Sequence, residues 1–287
     1  MKVRKTRNYQ RAVELTVRRV ISATGRPKFR RTDRPVRCSS PPVCEIATAF
    51  MLIRGGGVRT ESFLMEFHTT VGTVSHQLFQ KWAGRLGLLY GIWECSACGT
   101  QKVGRGPAVC SKCHQEMVYK EMRVEVAPGL EGSTDGLIPV DKDTYVVMDL
   151  KFVGKTVLSQ VSENGPVPLH YQQVNLYAYG LKRKHKDLNI AGVAIIYLSK
   201  ADPRQFKVHY FPGIDTKVVN SAKKILNRVR TIITKKPEKV AELRPLCTSP
   251  EDAPYCPFQN ICFNKESGTT PHAYLRTLLK YNPVKKK

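Results

Sequence analysis

Two stretches decide the fold: EMRVEVAPGLEGSTDGLIPV, residues 121–140, and TYVVMDLKFVG, residues 144–154, separated by Asp141, Lys142 and Asp143. Both alternate apolar and polar residues, and the turn-forming residues between them predict a β-hairpin. Side chains on a strand alternate in direction, so Val146, Met148, Leu150 and Phe152 share one face and Asp149 and Lys151 the other. This predicts one core face and one face polar only where the acid and the lysine stand. A turn centred on Lys142 gives partners whose numbers sum to 284 and sets Asp135 opposite Asp149. Two carboxylates about 5 Å apart repel by roughly 3 kcal/mol at an effective dielectric of 20, an arrangement without benefit to a metal-free protein. A divalent cation reverses that sign. Asp135, Asp149 and Lys151 are therefore the expected catalytic residues of an oxygen-ligand site for Mg²⁺ or Mn²⁺, with the ammonium placed to orient or deprotonate a water.

Outward from the hairpin, the chain alternates helical and strand patterns. Before it, Val74, Leu78, Phe79, Trp82, Leu86 and Leu89 recur at helical spacing over residues 71–93, with His76 near the start. After it, residues 168–184 read as a helix, 191–200 as a buried strand, 205–211 as a second strand and 216–234 as an amphipathic helix. In that last helix Val218, Val219, Ala222, Ile225, Leu226, Val229 and Ile232 form the apolar side. The fold class is therefore α/β.

Nine cysteines sort by spacing, and in a reducing compartment they read as metal ligands rather than disulfides. Cys95, Cys98, Cys110 and Cys113 form two CxxC pairs flanking the turn-rich GTQKVGRGPAV, the pattern of a zinc ribbon. His114 follows the fourth cysteine as a bystander. The ribbon reads equally as a nucleic-acid-contacting finger or as a structural clip.

These motifs together resemble the RecB-like branch of the PD-(D/E)XK nuclease superfamily. GTVSH supplies a helical His76, GSTDG supplies Asp135, MDLK supplies Asp149 and Lys151, and QVNLY supplies Gln173 and Tyr177 on one helical face with His170 a turn earlier. The resemblance spans roughly residues 38–265 and implies a restriction-endonuclease-like mixed sheet flanked by helices. It also implies a metal set of His76, Asp135, Asp149 and the main-chain carbonyl of Leu150, with Gln173, Tyr177 and His170 contacting substrate. Two features depart from the family: Thr134 stands where the superfamily's proline would be, and the zinc ribbon is an insertion. Cys44 in SSPPVC, with Cys247, Cys256 and Cys262 in CTSPEDAPYCPFQNIC, resembles the iron-sulfur subgroup that includes the AddB nuclease domain and CRISPR-associated RecB-like exonucleases. That subgroup implies an iron-sulfur cluster, of 4Fe-4S type, clasping the two ends of the core. Cys38 is the substitute for Cys247, and a second four-cysteine zinc site is the alternative to the cluster.

Composition agrees with a nucleic-acid enzyme. The 287 residues carry 47 Lys and Arg against 23 Asp and Glu, a net charge of +24, which a soluble protein tolerates best beside a polyanion. Thirteen of those basic residues precede Cys38, and two prolines in RPKFRRTDRPVR argue against a continuous helix there. No apolar stretch suits a membrane span, and the charged start does not suit a secretory leader, so a cytoplasmic location is expected, in a cell or a virus-infected host, with no membrane partner. The expected organisation is a basic arm (1–37), a first core segment (38–94), the ribbon (95–114), the core with the catalytic hairpin (115–246) and a cluster-binding tail (247–287). The expected activity is Mg/Mn-dependent DNA hydrolysis, exonucleolytic by preference, on single-stranded ends or duplex, alongside a helicase or recombination partner. The alternatives are a non-catalytic zinc-ribbon DNA-binding protein, or a structure-specific endonuclease or RNase on the same core.

Overall fold

A computed structural model describes residues 2–28, 36–54, 59–106, 109–249, 256, 258–263 and 270–281. The Arg-rich end of the expected arm, the segment 250–255 and the closing lysines lie outside the described residues. In chain order the elements are α1 (Lys2–Ile21), β1 (Thr24–Lys28), β2 (Val36–Arg37), α2 (Glu45–Arg54), β3 (Arg59–Ser62), α3 (Phe63–Arg85), β4 (Tyr90–Cys95), β5 (Gln101–Arg105), β6 (Met117–Lys120), β7 (Met122–Ala127), β8 (Leu130–Thr134), β9 (Gly136–Pro139), β10 (Thr144–Val153), α4 (Lys155–Asn164), α5 (Pro168–Lys184), β11 (Asn189–Ser199), β12 (Phe206–Pro212), α6 (Thr216–Lys235), α7 (Gln259–Phe263) and α8 (Pro271–Tyr281).

Seven strands form a mixed sheet ordered β12, β11, β10, β9, β4, β5, with β6 also paired to β4. β10 runs parallel to β11 and antiparallel to β9. The β9–β10 ladder joins Tyr145 to Pro139, Val146 to Ile138, Val147 to Leu137 and Met148 to Gly136, the register that a turn around Lys142 dictates. The rest of the 121–140 stretch behaves differently from the expectation of a single strand. Pro128 and Gly129, the latter at φ +73°, turn it back on itself, so that β7 and β8 make their own hairpin in a small second sheet with β2.

Both faces of β10 are covered. Val147, Val193 and Ile195 pack with Leu158, Leu176 and Leu226 from α4, α5 and α6, while Met148, Leu150, Ile196 and Leu198 pack towards Phe79 and Ala83 of α3. The expectation of a polar face on β10 is thereby corrected: Asp149 is fully buried, because α5 lies over it. A second core joins α2, the end of α6 and α8 through Phe50, Val229, Ile233, Phe258 and Leu275.

Three further expectations change. The helix expected to carry the 71–93 pattern stops at Arg85, and the chain turns at Gly87 (φ +69°) into β4. Val74, Leu78, Trp82 and Leu86 are more than half exposed, so the apolar stripe looks outward. The buried side of α3 is instead set by Gln80 and Gly84, where a Cβ on Gly84 would lie 2.2 Å from the Trp93 ring. Most of the 1–37 segment is helix α1, which ends ahead of Pro27. The strands flanking the four ribbon cysteines extend the central sheet, and Cys95 and Cys110 share a core cluster with Met148 and Leu150. Among the described residues, no helix is long and apolar enough to cross a membrane.

Candidate active site and cysteine centre

The chain leaves the β9–β10 ladder just before Gly136, where a Cβ would sit 2.4 Å from Leu89 and 2.7 Å from Met148. That close approach lets Asp135 reach across β10, and its Oδ2 accepts a hydrogen bond from the Leu150 amide at 2.6 Å. Because β9 pairs no further than Met148, this side of Leu150 is taken by Asp135 instead of a strand. Thr134, at the position of the family proline, is buried and accepts from the Gly136 amide through Oγ1 at 3.3 Å.

Asp149 and Lys151 meet on the other side of β10. Lys151 Nζ donates to Asp149 Oδ1 at 3.0 Å and to Gln173 Oε1 at 3.2 Å. Gln173 Nε2 in turn donates to Asp149 Oδ1 and to the Tyr177 hydroxyl, at 2.9 and 2.8 Å. One helical turn separates Gln173 from Tyr177, which is why both reach the same spot. Asp149 Oδ2 lies 2.9 Å from the ammonium, yet the hydrogen bond is aimed at Oδ1, leaving Oδ2 buried without one. Burial pushes Asp149 up to about 7, against the pull of Lys151. His76 Nδ1 stands 3.6 Å from Asp135 Oδ2; burial opposes its charge, but the Asp135 carboxylate prevails and holds the imidazole above its usual pKa.

The structure thus brings His76, Asp135, Asp149, Leu150 and Lys151 together, with Gln173 and Tyr177 behind them. Tyr177 is buried, turned towards the acid–lysine pair. His170 is set apart: its Nδ1 meets the Tyr197 hydroxyl at 2.9 Å, and burial pulls it down to about 4. Sequence reasoning missed Gln80, whose Nε2 donates to the Asp135 carbonyl at 2.9 Å. Its position four residues after His76 was the available signal.

The donor set suits a divalent cation: two carboxylates and an imidazole, with Asp149 Oδ2 buried and met by the Lys151 ammonium at 2.9 Å.

The ribbon cysteines converge separately. Sγ distances are 3.3 Å for Cys95–Cys113, 3.4 Å for Cys98–Cys110 and 3.6 Å for Cys98–Cys113, close to the ~3.8 Å edge of a tetrahedron of thiolates bound to one zinc at about 2.3 Å. Among the described residues, these four are the group of three or more ligating side chains whose donor atoms all lie within 4.8 Å of one another. The knuckles match: Gly99 (φ +69°) and His114 (φ +58°) occupy equivalent left-handed positions after the second cysteine of each pair. His114 is thereby a turn residue. Hydrogen bonds from Thr100 draw Cys98 down to about 6, favouring thiolate.

The remaining cysteines divide. Cys38 is fully buried in the first core, beside Gly132 and Tyr177, and burial pushes it up to about 12. Cys44, Cys256 and Cys262 lie against the second core. Burial raises Cys262 to about 12, and Cys256, Cys44 and Cys247 act in the same direction. Cys38 is no substitute for any of them.

Comparison with known proteins gives the family. The family model described as the PD-(D/E)XK nuclease superfamily matches residues 101–263, more than half of the chain. The chain therefore belongs to the PD-(D/E)XK nuclease superfamily, whose members are nucleases that usually use divalent metals. Among solved structures, it is similar to an alkaline exonuclease from Laribacter hongkongensis at 14% identity and TM-score 0.33, covering 43% of this chain and 62% of that one. The chain thus spans under two thirds of that exonuclease's length. The same exonuclease in complex with dAMP is similar at 12% identity and TM-score 0.40, covering 72% of this chain and 94% of that one. The protein SSO0001 is similar at 10% identity and TM-score 0.41, covering 81% and 87%. No curated protein matches the sequence.

Proposed function

We propose that this chain is a metal-dependent DNA nuclease of the RecB-like branch that removes nucleotides from strand ends. The observation that carries the reading is the meeting of Asp135, Asp149 and Lys151 beside His76, with Asp149 fully buried against the Lys151 ammonium. His76, Asp135, Asp149 and the Leu150 carbonyl would hold Mg²⁺ or Mn²⁺. When bound, such a cation stabilises charge developing on the phosphate and on the leaving oxygen. Lys151 orients the attacking water and offsets phosphate charge. Gln173 holds acid and lysine in one geometry, Tyr177 fixes Gln173, and Gln80 fixes the Asp135 backbone. The raised His76 and Asp149 imply that metal uptake displaces protons.

Two further centres belong to this reading. Cys95, Cys98, Cys110 and Cys113 hold Zn²⁺, supported by their sulfur spacing. Cys44, Cys247, Cys256 and Cys262 hold an iron-sulfur cluster, supported by the packing of Cys44, Cys256 and Cys262 against the second core, without the tight spacing of the ribbon group. Arm 1–37 and segment 247–287 act as DNA-facing and clasping extensions.

The test is incubation of the purified chain with end-labelled linear and circular DNA, single- and double-stranded, plus Mg²⁺ or Mn²⁺. Nucleotide release from linear substrates with circles spared is the expected result. Intact DNA under every condition overturns the nuclease, and cut circles overturn the exonuclease.

A further inference from the structure

A groove of about 1140 Å³ runs between α3 and the sheet on the ribbon side of the molecule. Its wall is the α3 face bearing Gln77, Gln80 and Lys81, its floor is β4 and β6, and the ribbon closes one end with Ser96, Gln101 and Glu116. The other end opens at Glu121 and Ser133, beside Gln80, whose amide already holds the Asp135 carbonyl. The groove therefore adjoins the four-cysteine group through Ser96 and reaches the neighbourhood of Asp135 through Gln80.

Its charge is uneven once internal pairs are removed. Arg85 is taken by Glu116 at 3.0 Å, and Lys120 by Glu94 at 3.3 Å. Lys81, Arg123 and Lys184 are exposed; Lys81 stands near Glu116, which Arg85 already pairs, and Lys184 Nζ donates to the Arg123 carbonyl at 3.5 Å. Three cations outside those pairs thus line the groove against one further acid, Glu121, and the groove borders the catalytic cluster through Gln80, which holds the Asp135 carbonyl. A volume of this order exceeds that of a drug-sized ligand, and suits a few nucleotides of one strand. Neutral glutamines among spaced cations are the lining expected for a backbone tracked without regard to sequence.

We propose that this groove holds a single-stranded nucleic-acid segment running from the scissile phosphate towards the zinc ribbon, with Lys81, Arg123 and Lys184 on its phosphates. The inference rests on the nuclease reading and gives the ribbon a role at the far end of the strand's path. The favoured substrate is then a strand with a short unpaired segment at the cleaved end.

The test uses full-length Asp149→Asn protein without added divalent cation, so that nothing is cleaved. Fluorescence anisotropy with labelled oligothymidylate, oligouridylate and a blunt duplex compares it with the same protein carrying Lys81→Gln, Arg123→Gln and Lys184→Gln. Single-strand affinity should fall about tenfold at low salt, with the log–log salt slope shallower by about 2, as three lost phosphate contacts require; duplex affinity should change less. Whichever single strand binds better assigns the sugar. Unchanged single-strand affinity and slope, or an equal loss on duplex, overturns the groove. A second measurement needs no groove substitution: acetylation mapped by mass spectrometry should show Lys81 and Lys184 protected by the oligonucleotide, and equal labelling with and without it overturns the inference. The two readings separate cleanly. Cleavage of DNA by wild-type protein with no groove response removes this inference alone, whereas a groove response with no cleavage removes the nuclease reading and leaves a single-strand binding site.

Discussion

Asp149 is held between opposing demands, the charge that the proposed chemistry requires and a position with no exposed surface. Replacement by asparagine keeps the shape and removes the charge. Cleavage should fall by roughly a hundredfold or more, while the metal-free melting temperature holds or rises, since an ionised buried carboxylate is itself costly. Unimpaired cleavage by Asp149→Asn protein would remove Asp149 from the chemistry. The pH dependence has a definite sign. Asp149 titrates at about 7 in the folded chain against 3.8 for an ordinary aspartate, so the folded state binds this proton more tightly than the unfolded one. This group's contribution to metal-free stability is full below about pH 4 and is lost as pH rises through about 7. A cation competes with that proton, so the melting-temperature gain on adding Mg²⁺ should grow between about pH 5 and pH 8. Equal gains at both ends, by scanning fluorimetry, would show that no proton leaves Asp149. At this scale the sequence was informative about identity and silent about burial: the Asp-x-Lys spacing named the pair, but only the covering helix α5 makes Asp149 inaccessible.

The elements that position the site depend on close approaches that a pattern of apolar residues does not encode. Gly136 is the sharpest case, because β9 must begin there and a methyl would strike Leu89 and Met148. Gly136→Ala should cost about 1–3 kcal/mol by overpacking and should reduce cleavage further by moving Asp135 off the Leu150 amide. Denaturant melts and turnover measured on the same preparation check both parts; full activity would show that the ladder absorbs the methyl. The β9–β10 register was readable because a tight turn fixes which residues face each other. Helix α5 and strands β11 and β12 were also readable, from their uninterrupted patterns. The orientation of α3 was not. Its apolar stripe promised a buried face, but Gly84 is the residue that can sit on the Trp93 ring, so the helix rests on small and polar residues and turns Val74, Leu78 and Trp82 outward. The β7–β8 hairpin was missed because the alternation on either side was read straight through Pro128–Gly129, a dipeptide that itself signals a turn.

Over the whole molecule, a net charge of +24 is concentrated towards the start of the chain. In α1, Arg11, Arg18 and Arg19 are exposed. Deleting residues 2–21 should weaken DNA binding and flatten its salt dependence with little regard to sequence; an unchanged slope in a filter-binding titration would make α1 a bystander. The second core ties α2, near the start, to α8, near the end, so a cluster linking Cys44 to Cys262 would close a very long loop, worth roughly 5 kcal/mol if the chain-entropy account of cross-links applies. The chain also contains two tryptophans in opposite settings. Trp93 is buried under the ribbon, its indole N–H on the Gly104 carbonyl at 3.0 Å, while Trp82 is 54% exposed on the outer side of α3 beneath Arg85. The molecule therefore carries a built-in optical gauge of any metal held by the four ribbon cysteines. Intact protein should emit from one blue, quencher-resistant indole and one red, iodide-accessible indole, and stripping the ribbon metal should convert the first into the second, so that the loss of one ion can be followed in real time without any label.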